Sequence, residues 1–246
     1  TISVLIEGYT NFNQIRPENN GFSIIFLIKS VKKIKGPIIM NTIKTEISTI
    51  RSDLINFAQD LIKTKSYSGN EEAIVKRIKN KMIDLGYDDV FIDSMGNILG
   101  RIGNGEKTIM FDSHIDTVAV NNLSEWDHPP FEGKIINDRL HGRGSVDMKS
   151  AAAASIYAGA IAKNLNLHKD KTIYVSCTVM EEDCDGENLK HLFRECGFKP
   201  DYMIICEPSG NKLVTGHKGK AQIRIKTHGI SAHGSAPEKG LNAIYE

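Results

Sequence analysis

At 246 residues the chain suits one large or two modest domains, and its 40% apolar content excludes global disorder. Its 31 lysines and arginines against 30 aspartates and glutamates leave no electrostatic footprint for nucleic acid or an anionic membrane. The apolar run from Phe22 to Ile28 is too short to cross a bilayer and lacks the small-residue cleavage site of a signal peptide.

Residues 1–39 mix Asn, Ile and Lys with little periodicity and open without Met, so they are kept out of the fold, as a disordered or artefactual segment. Met40 then opens the folded part. Ile50, Leu54, Phe57, Ala58, Leu61 and Ile62 recur at helical spacing and predict an amphipathic helix from Glu46 to Lys63. A second helix is expected from Glu71 to Leu85, with Asn70 as its N-cap and Gly86 as its stop. Val90–Asp93 and Asn97–Ile102 read as a hairpin around Met95 and Gly96. Thr108–Phe111 is a short apolar run of the kind that forms a buried strand. Ala151–Lys163 is predicted helical, and its Ala and Gly content lets it lie close against a sheet. Further strands are expected at Thr172–Val179 and Tyr202–Cys206, with a helix at Glu187–Cys196 ahead of Gly197 between them.

Strands alternating with helices predict an α/β fold: a mixed, mainly parallel sheet with helices on both faces. From Lys212 the pattern changes. Ala221, Ile223, Ile225 and Thr227 alternate with polar residues, as in a half-buried strand of a second domain.

Chemistry-bearing residues recur where strands should end. Ser113-His114-Ile115-Asp116-Thr117-Val118 puts a histidine and a carboxylate two residues apart at one strand exit, and ligands in such sheets bind beyond the carboxyl ends. Asp147 lies in Gly142-Arg143-Gly144-Ser145-Val146-Asp147-Met148-Lys149, just before the Ala-rich helix. Glu181-Glu182-Asp183 follows the next strand, and Glu207-Pro208 follows the last. A His/carboxylate mix at four strand exits suits Zn²⁺ or a similar divalent ion. Each residue also has a plainer reading, Asp147 as a helix N-cap and Glu181–Asp183 as a solvated acidic loop. The four cysteines, Cys177, Cys184, Cys196 and Cys206, show no CxxC spacing, which reads as a reduced, cytoplasmic protein.

With SHIDTV, GRGSVDMK, EED and CEPSG in that order, the chain from Asn41 onward resembles the dinuclear zinc M20 peptidase and deacylase family. That family includes acetylornithine deacetylase, succinyl-diaminopimelate desuccinylase and glutamate carboxypeptidases. EEDCDG and GRGSVDMKS resemble most a subgroup linked to selenium metabolism. The resemblance implies a zinc-exopeptidase-like catalytic domain over 40–211 and the start of an α+β lid or dimerisation domain over 212–246. It implies two divalent ions, zinc with cobalt or manganese as alternatives. His114 and Glu207 would hold one, Glu182 the other, and Asp147 would bridge them. Glu181 would be the general base, Asp116 would orient His114, and the Asp147–Met148 peptide would be cis. His233 would reach the site of the partner subunit and stabilise an oxyanion. The remaining histidines carry no such role.

The expected function is therefore metal-dependent hydrolysis of the amide bond of an N-acyl amino acid or short peptide, in a homodimer joined through the lid. No nucleic-acid or membrane partner is expected. The other class of function is a noncatalytic metal-binding or dimerisation protein on the same scaffold. A serine or cysteine hydrolase lacks its GxSxG motif and any base paired with Cys184. The resemblance places a further His ligand of the second ion beyond Glu246, so these 246 residues on their own are expected to be inactive.

Overall fold

A computed structural model describes residues 37–216, 218 and 225–245. These fall into two compact units, divided between Thr215 and Gly216.

The first unit opens with α1 (Pro37–Lys63), which starts nine residues before the expected Glu46, and α2 (Glu72–Asp84). The N-cap of α2 is Glu71, not Asn70, and Gly86 follows with φ of 77°. Asn70 instead closes a turn, donating its N–H to the Tyr67 carbonyl, which leaves the Glu71 side chain free to reach elsewhere. Strands β1 (Asp89–Ile92) and β2 (Ile98–Ile102) form the expected antiparallel hairpin. Its turn is held by the Asp93 carboxylate, which accepts the N–H groups of Met95, Gly96 and Asn97. Next come β3 (Lys107–His114), a small two-stranded ribbon of β4 (Lys134–Ile136) and β5 (Arg139–His141), and α3 (Lys149–Asn164). The unit continues with β6 (Lys171–Thr178), a short α4 (Glu181–Cys184), α5 (Glu187–Cys196) and β7 (Tyr202–Ile205).

The five-stranded sheet has the order β1-β2-β6-β3-β7. β3 pairs in parallel with both β6 and β7, and the hairpin joins antiparallel through β2, so the sheet is mixed. Alternation along the strands splits the core in two. Ile98, Phe111, Val175 and Cys177 face Phe57, Leu61, Ile78 and Ile156 of α1, α2 and α3. Leu99, Met110 and Met203 face Leu192 of α5 on the other side. The helices therefore cover both faces. The crossovers from β3 to β6 and from β6 to β7 run to opposite sides of β3. The carboxyl ends of these three strands consequently open onto a switch point, where an α/β sheet forms its crevice.

α3 does lie close to its neighbours. The Tyr87 hydroxyl donates to the Ile156 carbonyl at 2.8 Å, and its ring runs between Gly159 of α3 and Gly100 of β2. A Cβ at Gly100 would meet the ring at 2.6 Å, and one at Gly159 would meet the hydroxyl at 2.3 Å.

The second unit, taken by itself, contains a short 3₁₀ turn at Pro237–Lys239 and an antiparallel bridge between Ile230 and Leu241. Residues 221–224 of the expected strand, and the segment 1–36, lie outside the described residues. Among the described residues no helix is long and apolar enough to cross a membrane.

Candidate metal centre

The switch point is where the first unit gathers its polar side chains. His114, the last residue of β3, is buried. Its Nδ1 lies 3.0 Å from the backbone carbonyl of Asp116 and 3.4 Å from the carboxylate Oδ1 of the same residue. A carbonyl only accepts, so Nδ1 carries a hydrogen and Nε2 is the nitrogen that faces the crevice. Asp116 is the residue expected to orient this ring, and the shorter of its two contacts comes from its backbone. Nε2 stands 2.7 Å from Asp147 Oδ1 and 3.7 Å from Glu207 Oε1.

Asp147 does not cap α3; the N-cap is Met148, and the Asp147–Met148 peptide is cis. Lys149 anchors this junction from within. Its buried ammonium donates to the carbonyls of Leu61 and Thr64 at the end of α1, and burial lowers its pKa to about 8.

Glu181 and Glu182 sit on the first turn of α4, not in the solvated acidic loop of the plainer reading. Met180 ahead of them takes left-handed angles (φ 55°, ψ 27°), which turns the chain out of β6 directly into a helical turn. Their side chains still diverge, since successive helical residues are about 100° apart. Glu181 groups with His114 and Glu207, and Glu182 with His114 and Asp147, each set with ligand atoms within 4.8 Å of one another. His114 is thus common to both groups, a different partition from the one the resemblance implies.

The donors fit a divalent cation on chemical grounds. One imidazole nitrogen and four carboxylates converge, and the three glutamates are perturbed by it. Loss of hydration chiefly pushes Glu207 up to about 7, with Asp147 and Glu181 adding to it and His114 opposing. It does so although 42% of the Glu207 side chain is exposed. Burial likewise raises Glu181 and Glu182, each aided by neighbouring acids. Burial opposes charge on His114, but hydrogen bonds to Asp116 and Asp147 outweigh it and carry the ring up to about 10. A metal cation in the crevice would satisfy the same oxygens.

Several supporting residues carry no local sequence signal. Ser68 donates to Asp116 Oδ2 at 2.6 Å, because the segment after α1 runs beside Ile115–Thr117. Asp112 is buried beneath the site against Ser176, and burial raises it to about 6. A third group of donors, Asp93, His191 and Glu195, lies away from the crevice. Both Asp93 oxygens already accept hydrogens within its own turn. Glu195 accepts the Ser94 N–H and hydroxyl, so this set ties the hairpin to α5. His233 belongs to the second unit, is exposed, and contacts the Ser235 hydroxyl at 2.8 Å.

A family model for peptidase family M20/M25/M40 matches residues 110–238, more than half of the chain, and the chain belongs to that family. It is 40% identical over 196 residues to the uncharacterised protein YgeY of Escherichia coli K12, covering 80% of this chain and 49% of that protein. It is 32% identical over 202 residues to an acetylornithine deacetylase of Aliivibrio fischeri, covering 77% and 52%. The chain spans about half the length of the curated relatives it matches. An M20 family metallo-carboxypeptidase from Sulfolobus solfataricus shares the fold, with a TM-score of 0.56 at 22% identity over 62% of this chain and 36% of its own.

Proposed function

We propose that the protein is a metal-dependent hydrolase that cleaves the amide bond of an N-acyl amino acid or short peptide, working as a homodimer when complete. The observation that carries this reading is the convergence of His114, Asp147, Glu181, Glu182 and Glu207 at the carboxyl ends of β3, β6 and β7. The acyl amino acid follows from relatives such as the acetylornithine deacetylase, and the four free cysteines suit a reducing compartment. His114 and Glu207 would hold one ion and Glu182 the other, with Asp147 shared between them, since two nearby cations need shared negative charge. Bound zinc, cobalt or manganese supplies Lewis acidity to water and to the scissile carbonyl.

The chain's own groups handle the proton. Glu181 takes it from the attacking water and returns it to the leaving nitrogen; its raised affinity for protons, due first to burial, suits both steps. Asp116 keeps His114 turned toward the crevice through its carbonyl. His233, from the second unit of a partner subunit, donates to the developing oxyanion.

Glu181→Gln tests the assignment. Turnover of N-acetyl amino acids by the complete protein should fall by about 10²–10⁴-fold, while metal content stays near that of the unsubstituted protein. Rates within a few-fold of the original would overturn the role of Glu181.

A further inference from the structure

The turn that carries Glu181 and Glu182 is held from outside by its own backbone. Val179 donates its N–H to Asn97 Oδ1 at 2.9 Å, and Met180 donates to Glu71 Oε1 at 3.0 Å. Glu181 and Glu182 donate to the two carboxylate oxygens of Asp116 at 3.1 and 3.2 Å. Four consecutive amides are thus met by three side chains from three distant segments. Asn97 and Asp116 are explained by other duties, in the hairpin turn and beside His114. Glu71 is not. It is buried at the start of α2, yet its carboxylate makes no cap for that helix and points across to Met180.

Met180 is also where the backbone needs help. A left-handed conformation is unfavourable for a residue with a Cβ, and this one sits between β6 and the two glutamates. A four-residue helix has too few internal bonds to hold such a junction alone.

We infer that Glu71 is a positioning residue for the metal centre: by accepting the Met180 N–H it fixes the left-handed turn that aims Glu181 and Glu182. This deepens the proposed function and rests on it for the roles of those two glutamates. Hydrogen bonding, rather than charge, is what the position supplies, so Gln should serve where Ala does not.

The test compares Glu71→Ala and Glu71→Gln in the complete protein, by amide hydrogen exchange and by titration with Co²⁺ alone. In Glu71→Ala, exchange at Met180–Glu182 should quicken about tenfold, the loss of one net hydrogen bond, with α2 and β6 unchanged. The Co²⁺ equivalent that Glu182→Ala removes should weaken by a similar factor, and Glu71→Gln should restore both. Unchanged exchange and Co²⁺ affinity in Glu71→Ala would overturn the inference. Protection lost throughout α2, or a Glu71→Gln no better than Glu71→Ala, would overturn it too, by making Glu71 a residue of the fold alone. An unsubstituted protein that binds no Co²⁺ would instead refute the metal-dependent function, and exchange at the turn would still decide what Glu71 does.

Discussion

Asp116 has both oxygens engaged in a fully buried place: Oδ1 accepts from Glu181, and Oδ2 from Ser68 and Glu182. Burial works against its charge, but His114 and Ser68 outweigh burial and hold the carboxyl below the usual range. A carboxyl depressed on folding contributes stability above its unfolded value, near 3.9, and loses it as pH falls through the lower folded value. Asp116→Ala strands three donors, each worth about 1–3 kcal/mol when left unmet. Urea unfolding of the metal-free protein at neutral pH should therefore show a loss of about 3 kcal/mol or more, shrinking in strong acid. A loss below about 1 kcal/mol would mean that water replaces the carboxylate. At this scale the chain was readable where chemistry is local. His114, Asp147, Glu181, Glu182 and Glu207 each follow or precede a recognisable element. Ser68, Glu71 and Asn97 were not readable, because their partners lie 48, 109 and 82 positions away and are mostly backbone amides, which no side-chain spacing reports.

Among the elements, α3 sets two effects against each other at Gly159. Alanine is the better helix former by about 1 kcal/mol, yet its Cβ would stand 2.3 Å from the Tyr87 hydroxyl, which is itself bound to Ile156. Overpacking a filled core costs about 1–3 kcal/mol, so Gly159→Ala should lower the thermal midpoint. Removing the hydroxyl in Tyr87→Phe should recover part of that loss in the double variant. A Gly159→Ala protein more stable than its parent would show that Tyr87 can move aside. The small-residue content of this helix foretold its close approach, and α5 matched because Gly197 stops it with a left-handed turn. The misses have their own causes. Asn70 does not cap α2 because its N–H closes a turn with Tyr67, and the helix starts one residue later. The acidic run after β6 reads as loop in isolation and becomes a helical turn only when Asn97, Glu71 and Asp116 accept its amides.

For the molecule as a whole, the donors divide unevenly. On the proposed assignment one ion would have His114, Asp147 and Glu207, while the other would have Asp147 and Glu182 from within these 246 residues. Calorimetric titration of Zn²⁺ into this chain should therefore give one tight equivalent and a weaker second. Two equally tight equivalents would overturn this division of the ligands. Zn²⁺ at about a hundred times its Kd should add about 2.7 kcal/mol to stability, an increment that EDTA removes and His114→Ala abolishes. The same geometry has a kinetic meaning. The proposed ligands at positions 114, 147, 182 and 207 meet only after β3 has paired with β6 on one side and β7 on the other. An ion there is a late cross-link over segments that fold by slow, nonlocal pairing. Zn²⁺ should then leave the refolding rate almost untouched and slow unfolding instead, so that loading the metal acts as a latch on a chain that has already found its shape.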